Sequence, residues 1–357
     1  MMRIRNFTVA LVLASTAALT AAPTTMQSPG GDVCAITTTE RVVAVADVHG
    51  GFDQFTAILK EAGVIDKNRK WAGGKTIFVQ TGDLIDRGPD SRKALDLMRQ
   101  LEKDAAKAGG RVIALLGNHE VMRVIGDTRY VSPGEYAAFR DAGSDDLRKK
   151  YYESISTDRA TKARAAGEKF DEAAFRKSWY ESAPLGSIEM ALAFGPKGDY
   201  GKWVRTHDTM AIINGVAYMH AGTSAETAKL GCAGINQKVR SEFDKVELGT
   251  PEAATSLTLS PEGPLWYRGL VPGTGDTTVT PEELDGIMKT LGVKRFVLGH
   301  SAVADGKIKA HFDGRVYQID TGMLDGTFFP NGRATALEVA GDVFTEISIG
   351  ARTPVGK

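Results

Sequence analysis

Polar side chains that could bind metal ions follow five apolar runs of the sequence, each at the point where the run ends. The segments read ADVHGG, GDLIDRG, GNHE, HAG and GHS, and they begin at residues 46, 82, 117, 220 and 299. Four of the six histidines stand in such segments, which is too regular for unrelated structural histidines. Their carboxylate, amide and imidazole donors, without a thiolate, suit manganese, iron or zinc better than calcium.

The segments contain six candidate metal ligands, which are too many for one catalytic ion that keeps an open coordination position. Two ions that share a carboxylate fit better, and Asp83 is the natural bridging ligand because it is central in the set. Paired sites of this kind hydrolyse phosphate esters. The predicted ligands are Asp47, His49, Asp83, Asn118, His220 and His300.

Short β-rich runs precede the polar segments and must position them. Three of these runs are RVVAVA (41–46), KTIFVQT (75–81) and RVIALL (111–116), and helix-compatible stretches separate them. Strands that alternate with amphipathic helices predict an α/β fold with a buried parallel sheet. The carboxyl ends of parallel strands share one edge, where their loops converge on a crevice.

The C-terminal half of the chain has a different pattern. Asn214-Gly215, Asp313-Gly314 and Gly341-Asp342 each lie between two apolar runs. Such dipeptides favour tight turns, so the pattern predicts antiparallel hairpins. The run KRFVLGH (294–300) predicts one further buried strand.

The stretch 121–205 is charged, favours helix and contains no strong β-run. It is too long for a plain loop in a compact domain, so we predict a helical insertion or cap. The insertion would interrupt a main domain that covers residues 41–350.

Residues 1–27 are predicted to be a signal peptide and a flexible mature N-terminus, outside the fold. Arg3 and Arg5 precede an apolar run of about 14 residues that small residues follow, as in a secretory signal. A membrane span needs about 20 residues, so no span is expected in the mature chain, although an uncleaved anchor is the alternative. The chain is therefore expected to be exported, to the periplasm or out of the cell.

The 44 basic and 44 acidic residues balance, which excludes a global attraction to nucleic acid or to an anionic membrane surface. Nucleic acid is therefore not an expected partner. Cys34 and Cys232 could pair in an oxidising compartment, or they could be two unrelated buried thiols. The sequence leaves both possibilities open because it does not show how closely their Cα atoms approach.

The ordered set of five segments resembles the phosphoprotein phosphatase branch of the calcineurin-like metallophosphoesterases. Bacterial-type members, the Shewanella-like protein phosphatases, are the most similar. The resemblance runs from about residue 41 to about residue 349, and GPLWYRG (263–269) and IDTG (319–322) fall where such proteins also carry motifs. It implies a β-sandwich flanked by helices, with the helical insertion added to it.

The resemblance also implies an activity and a role for each site residue. Such proteins hydrolyse phosphomonoesters with two metal ions, by attack of a metal-bridging hydroxide, and the expected substrate is a protein phosphorylated on Ser, Thr or Tyr, or a small phosphoester. By motif, Asp47 and His49 resemble ligands of the first ion, and Asp83 resembles the bridge; the residues that resemble the remaining ligands are Asn118, His220 and His300. His119 resembles the general acid, and Asp86 resembles its orienting partner. The residues that resemble a phosphate-binding set are Arg87, Arg268 and Asn118.

Two other functions are compatible with parts of this pattern. A nucleotide hydrolase of the diadenosine tetraphosphatase type belongs to the same superfamily and shares most of these motifs. A metal-bearing binding module without turnover is the other alternative. The intact His119, Asp86 and Arg87 argue against the binding module, because a protein that only binds has no need of a general acid.

Overall fold

The computed structural model describes residues 32–356, except residues 244, 246–249, 251, 252, 254, 325 and 327. The predicted signal peptide, residues 1–27, lies outside the described residues. Among the helices that are described, none is both long enough and apolar enough to cross a membrane.

The first β-sheet contains the three strands predicted near the N-terminus. Its parallel part consists of β1 (Val42–Val45), β2 (Ile77–Gln80) and β3 (Arg111–Ala114). On the other side of β1 lie β9 (Thr335–Ala340), β10 (Val343–Ser348) and β11 (Ala351–Pro354), all antiparallel to their neighbours. The order across the sheet is therefore β11–β10–β9–β1–β2–β3.

The second sheet is built from the later part of the chain. Its strands are β4 (Met210–Ile213), β5 (Val216–Met219), β6 (Arg295–Leu298), β7 (Lys309–His311) and β8 (Val316–Gln318). They lie in the order β4–β5–β6–β8–β7, and β5, β6 and β8 run parallel to one another.

The two sheets pack face to face because their strands alternate in the direction of their side chains. Ala44 and Val79 of the first sheet share an apolar cluster with Tyr218 and Val297 of the second sheet. The β1 residue Val43 points the other way, into a separate cluster with the first helix. Both faces of each central strand are buried, which confirms the predicted α/β sandwich.

Helices cover the outer faces of the sandwich. The first sheet is covered by α1 (Phe52–Glu61) and α2 (Ser91–Lys107), whose Phe55, Ile58 and Leu95 are fully buried. Beyond the second sheet lie the short α9 (Ala225–Ala228), α10 (Gly231–Glu242) and α11 (Pro281–Leu291). The apolar residues of α1 recur three and four positions apart, which places them on one face of the helix.

Helices also make up the stretch that was predicted as an insertion. They are α3 (Asn118–Val124), α4 (Pro133–Phe139), α5 (Ser144–Ala165), α6 (Glu172–Ser182), α7 (Ser187–Phe194) and α8 (Asp199–Val204). The long helices α5 and α6 have a small apolar cluster of their own, formed by Tyr152, Trp179, Ala183 and Ile188. In contrast, Phe139 and Phe194 pack against the core of the first sheet.

All three predicted hairpins are present. Asn214 and Gly215 both have positive φ, at 52° and 75°, and they form the two-residue turn between β4 and β5. Gly341 and Asp342 join β9 to β10 in the same way. The loop around Asp313-Gly314 is longer, with four residues between the last pair of β7 and β8.

Cys34 and Cys232 form a disulfide that attaches the N-terminal segment to α10. The same segment is also held by backbone hydrogen bonds, from Ile36 N to Ile212 O and from Ile212 N to Val33 O, at 3.0 and 2.8 Å. The sequence left open whether the two cysteines pair or remain separate buried thiols, and in the fold they pair.

The disulfide joins residues 198 positions apart, so it constrains a large part of the unfolded chain. We expect the double substitution Cys34→Ser and Cys232→Ser to lower the free energy of unfolding by about 2–4 kcal/mol. Urea unfolding of the oxidised protein, with and without reductant, measures this loss. The double variant is the control and must not respond to reductant. Equal midpoints for oxidised and reduced wild-type protein would contradict the expectation.

Candidate active site

The fold brings all six predicted metal ligands to one end of the sandwich. Asp47 and His49 follow β1, Asp83 follows β2 and Asn118 follows β3, while His220 and His300 follow β5 and β6. The parallel strands of each sheet carry these loops at their carboxyl ends. The six side chains therefore come from both sheets and meet between them.

The first group of donor atoms surrounds one face of the Asp83 carboxylate. The Nε2 atom of His49 lies 3.7 Å from Oδ2 of Asp47 and 3.7 Å from Oδ2 of Asp83. Nε2 of His119, which was predicted to be the general acid and not a ligand, lies 3.8 Å from the same Asp83 oxygen. These separations are too long for hydrogen bonds. Two ligands about 2.1 Å from a tetrahedral ion lie roughly 3.4 Å apart, so the spacing fits a metal ion.

The second group joins the same Asp83 oxygen to Asn118 and to two histidines of the other sheet. His220 Nε2 lies 3.4 Å from Asp83 Oδ2 and 2.8 Å from the Asn118 Oδ1 atom. The Nδ1 atom of His300 is 3.1 Å from His220 Nε2. A carboxylate oxygen, an amide oxygen and two imidazole nitrogens thus converge on one point. Asp83 belongs to both groups, as a bridging ligand must.

Backbone carbonyls fix the orientation of two of the histidines. His49 Nδ1 is 3.0 Å from Ile85 O, and His220 Nδ1 is 2.9 Å from Thr81 O. Only a protonated nitrogen can donate to a carbonyl, so Nδ1 carries the proton in each ring. In the neutral ring, which is the form that binds a metal ion, the lone pair then lies on Nε2, the atom that faces Asp83. The chemistry and orientation of the donors therefore fit two metal ions.

The loops of the site contain several residues in left-handed backbone conformation. His49, Asp83, Asp86, Arg87 and His300 have φ between 49° and 72°. Left-handed φ is uncommon outside glycine and clusters at functional sites. The surrounding contacts must hold these residues in place, because their own backbone preference does not.

Gly82 and Gly117 allow the two central loops to touch. A Cβ atom on Gly82 would lie 2.4 Å from Gly117 N, and a Cβ on Gly117 would lie 2.1 Å from Asp83 Oδ1. Glycine is therefore required at both positions for the GDLIDRG and GNHE segments to approach. This contact places Asp83 beside the first turn of α3.

Glu120 holds the loop that carries Asp83, a role that the sequence did not predict. Its buried carboxylate accepts hydrogen bonds from the backbone N–H groups of Asp83, Leu84 and Gly117, at 2.8, 2.8 and 2.9 Å. Hydrogen bonds to a charged acceptor are stronger than neutral ones. The only sequence signal was its position in GNHE, where it could equally have been a residue near a helix N-terminus.

The proposed general acid lies beside the metal ligands. His119 Nδ1 is 2.7 Å from Asp86 Oδ2, while its Nε2 faces Asp83. The second Asp86 oxygen accepts a hydrogen bond from Arg123, which also contacts Glu135 at 2.9 Å. Neither Arg123 nor Glu135 stands in a motif, so the sequence pattern did not indicate them. All four side chains are buried.

Burial and neighbouring charges set the protonation of the site. Burial lowers the pKa of His49 to about 3, so its imidazole is neutral and able to bind a metal. Burial also lowers the pKa of His119, but the Asp83 and Asp86 carboxylates outweigh it and raise that pKa above 6.5. His119 is thus the histidine better suited to donate a proton.

Asp320 of the IDTG segment is a further buried carboxylate at the site, to which the sequence assigned no role. It accepts a hydrogen bond from Gly322 N at 2.9 Å. Burial raises its pKa to about 6. The Asp320 charge in turn adds to burial in raising the pKa of Asp47.

The two candidate phosphate-binding arginines have different surroundings. Arg268 is half-buried and donates to Ser301 Oγ at 2.9 Å; burial lowers its pKa, and the Asp47 carboxylate opposes that shift. Arg87 is half-exposed and lies among aromatic rings. Asn118, the third candidate, directs its oxygen at the second donor group.

The sandwich, the shared carboxylate and the buried histidines together define a metal-dependent phosphoesterase. Comparison with known sequences gives the family: the sequence model of the calcineurin-like phosphoesterases matches residues 40–304, and the chain belongs to that family.

Individual relatives agree with this assignment. An uncharacterised protein of Schizosaccharomyces pombe is 32% identical over 286 residues, which is 79% of this chain and 73% of the relative. Shewanella-like protein phosphatase 2 of Arabidopsis thaliana is 28% identical over 315 residues, 85% of this chain and 76% of the relative. The crystal structure of a cold-active protein-tyrosine phosphatase from a psychrophilic Shewanella species matches with a TM-score of 0.65 at 26% identity, covering 89% of this chain and 81% of that one.

These findings confirm the predicted family and its phosphoprotein phosphatase branch. They also confirm the prediction that the chain is a metal-dependent phosphatase.

Glu120→Gln tests how strongly the Asp83 loop depends on its buried acceptor. The amide keeps one oxygen but turns an NH₂ group toward a backbone N–H, so we expect a loss of about 1–3 kcal/mol in the free energy of unfolding. Urea unfolding measures the loss, and Glu61→Gln on the exposed end of α1 is the control, with a change below about 0.5 kcal/mol. Equal midpoints for the two variants would show that the three hydrogen bonds do not stabilise the loop.

Proposed function

We propose that the chain uses two metal ions, held around Asp83, to dephosphorylate proteins. We also propose that it prefers phosphotyrosine. The observation that carries the proposal is the pair of donor groups that share one Asp83 oxygen, next to a buried histidine–carboxylate pair. Manganese, iron and zinc are the proposed metals, because oxygen and imidazole donors without thiolate suit them.

In this proposal, Asp47, His49 and Asp83 hold one ion, and Asp83, Asn118, His220 and His300 hold the other. When bound, such ions make a nucleophile available from water at neutral pH and polarise the phosphoryl oxygens.

The chain's own residues do the remaining work. Arg87 and Arg268 bind the phosphoryl oxygens from two sides and stabilise the charge that spreads over them in the transition state. His119 donates the proton from Nε2 to the departing oxygen, since its Nδ1 is hydrogen-bonded to Asp86. Asp86 keeps the ring in the orientation that this donation requires.

An aromatic wall beside Arg87 supports the preference for phosphotyrosine. The Arg87 guanidinium lies 5.6 Å from the ring of Tyr130, 5.9 Å from Phe328 and 5.3 Å from Phe329. Tyr130 is 43% exposed and Phe328 is 50% exposed, so both rings can contact a substrate. A phenyl ring gains more from such a wall than a serine or threonine methylene does. The similar Shewanella structure is also described as a protein-tyrosine phosphatase.

We also propose that the chain is exported to the periplasm or secreted. The basic and apolar N-terminal sequence supports this, because it has the pattern of a signal peptide. The Cys34–Cys232 disulfide agrees with it, since disulfides persist mainly in oxidising compartments.

His119→Ala tests the general acid. We expect the variant to keep its metal and to lose about 10²–10⁴-fold in kcat on phenyl phosphate, whose leaving group is poor. The loss should be much smaller on p-nitrophenyl phosphate, because its leaving group, p-nitrophenolate, departs without a proton. Asp83→Asn is the contrasting variant and should lose metal, measured by elemental analysis. Equal losses on both substrates would contradict the acid role, and full metal occupancy in Asp83→Asn would contradict the bridge.

Substrate and metal are tested with protein stripped by a chelator and restored with manganese, iron or zinc separately. We expect restored activity to be higher on a phosphotyrosine peptide than on a phosphothreonine peptide or a dinucleoside polyphosphate. Phe328→Ala should lower kcat/KM on the phosphotyrosine peptide by about 3–10-fold, because an aromatic contact contributes about 0.5–1.5 kcal/mol. The phosphothreonine peptide is the internal control. Highest activity on the dinucleoside polyphosphate would instead favour the nucleotide hydrolase.

A further inference from the structure

We propose that Arg123 and Glu135 are positioning residues for the proton donor His119, so that the helical insertion completes the general acid. The inference rests on the proposed function, in which His119 protonates the leaving oxygen. It concerns two side chains that touch neither the predicted metal ligands nor the substrate-binding arginines.

The two oxygens of Asp86 are divided between the acid and Arg123. Oδ2 lies 2.7 Å from His119 Nδ1, and Oδ1 accepts a hydrogen bond from Arg123 Nη2. A carboxylate held at one oxygen alone can rotate about its side-chain torsion. Arg123 prevents this rotation, and the His119 ring is then fixed with its Nε2 toward the Asp83 side of the site.

Glu135 supports the same arrangement at two points. Its Oε2 atom accepts from Arg123 Nη2 at 2.9 Å and from the backbone N of Asp86 at 3.4 Å. Asp86 has φ of 72°, a conformation that the surrounding contacts must maintain. Glu135 therefore contacts the Asp86 backbone, which also donates to Ser91 Oγ at 3.2 Å, and it reaches the Asp86 side chain through Arg123.

Helices of the insertion hold these two residues. Glu135 lies in α4, where its Oε1 accepts from Ser132 N and caps the helix. Arg123 lies in the last turn of α3, and its Nη1 lies 3.0 Å from the sulfur of Met190 in α7. The Arg123 guanidinium also lies 5.2 Å from the Phe194 ring of the same helix. A displacement of α4 or α7 would therefore reach His119 through Arg123 and Asp86.

Stability alone does not explain this buried network. The side chains of Arg123, Asp86 and Glu135 are at most 1% exposed. A buried ion pair commonly adds little net stability compared with apolar residues of similar volume, because its desolvation is costly. Its use lies in fixed geometry, and the group whose geometry it fixes here is the Asp86 carboxylate beside the acid.

The test compares kcat on phenyl phosphate and on p-nitrophenyl phosphate, with saturating metal. We expect Arg123→Met to lower kcat on phenyl phosphate at least about tenfold more than on p-nitrophenyl phosphate, with little change in KM. Glu135→Gln should act in the same direction by a smaller factor, and Arg123→Lys should recover part of the rate. Folding and metal content are checked by thermal melting and elemental analysis. If Arg123→Met does not fold, the two conservative variants decide the question.

Arg148→Met is the matched control. Arg148 also lies in the insertion, pairs with a carboxylate of Asp145 at 2.9 Å and packs on the Tyr180 ring, but it has no contact with Asp86. We expect it to leave the ratio of the two rates unchanged. An equal change of this ratio in Arg148→Met would show that loss of either arginine of the insertion has the same effect. That result would overturn the specific role of Arg123.

A double variant separates positioning from a general structural effect. If Arg123 acts through His119, then His119→Ala with Arg123→Met should have the kcat of His119→Ala alone. Additive losses, or equal losses on both substrates for Arg123→Met, would overturn the inference. A selective loss in His119→Ala without one in Arg123→Met would leave the proposed function standing and reject only this inference. A non-selective loss in His119→Ala would reject both.

Discussion

The site depends on one shared carboxylate that must lie between two protein layers. Asp83 extends from the first sheet and meets His220, which extends from the second. Burial opposes the ionisation of Asp83, but the neighbouring His220 and His119 outweigh it and hold its pKa well below the usual value. The charged form is therefore favoured where both donor groups need it. Any slip of one sheet against the other would separate these groups, so the packing of the sandwich core is also a condition for catalysis.

Local patterns were enough to predict most of the fold, and the six candidate ligands that they indicated lie together at one end of the sandwich. Apolar runs that end in Asp, Asn or His predicted strands whose carboxyl ends meet, and the observed loops after β1, β2, β3, β5 and β6 follow that rule. The Asn214-Gly215 turn was predictable for a similar reason, because few dipeptides accept positive φ at both positions. In each case a residue's own conformational or chemical preference determines its place.

The remaining features depend on partners that are distant in the sequence. The sequence did not indicate that Glu120 accepts hydrogen bonds from the Asp83 loop. The donors are backbone N–H groups, which nearly every residue has, so residue types do not identify them. Arg123 and Glu135 looked like ordinary charged residues of a helical stretch, and only the packing of α3 against α4 and α7 shows that they are buried. The pairing of Cys34 with Cys232 likewise depends on the distance between their Cα atoms, which the sequence does not give.

The site therefore divides into two parts with different origins. The candidate metal ligands come from strand ends of the two sheets, while His119, the proposed acid, contacts Asp86 and, through Arg123, the insertion helices. The candidate ligands lie on the sandwich and on the first turn of α3, whereas the proposed orientation of His119 also needs α4 and α7 in place. On the proposed roles, a change in α4 or α7 is expected to affect protonation of the leaving group more than the metal site.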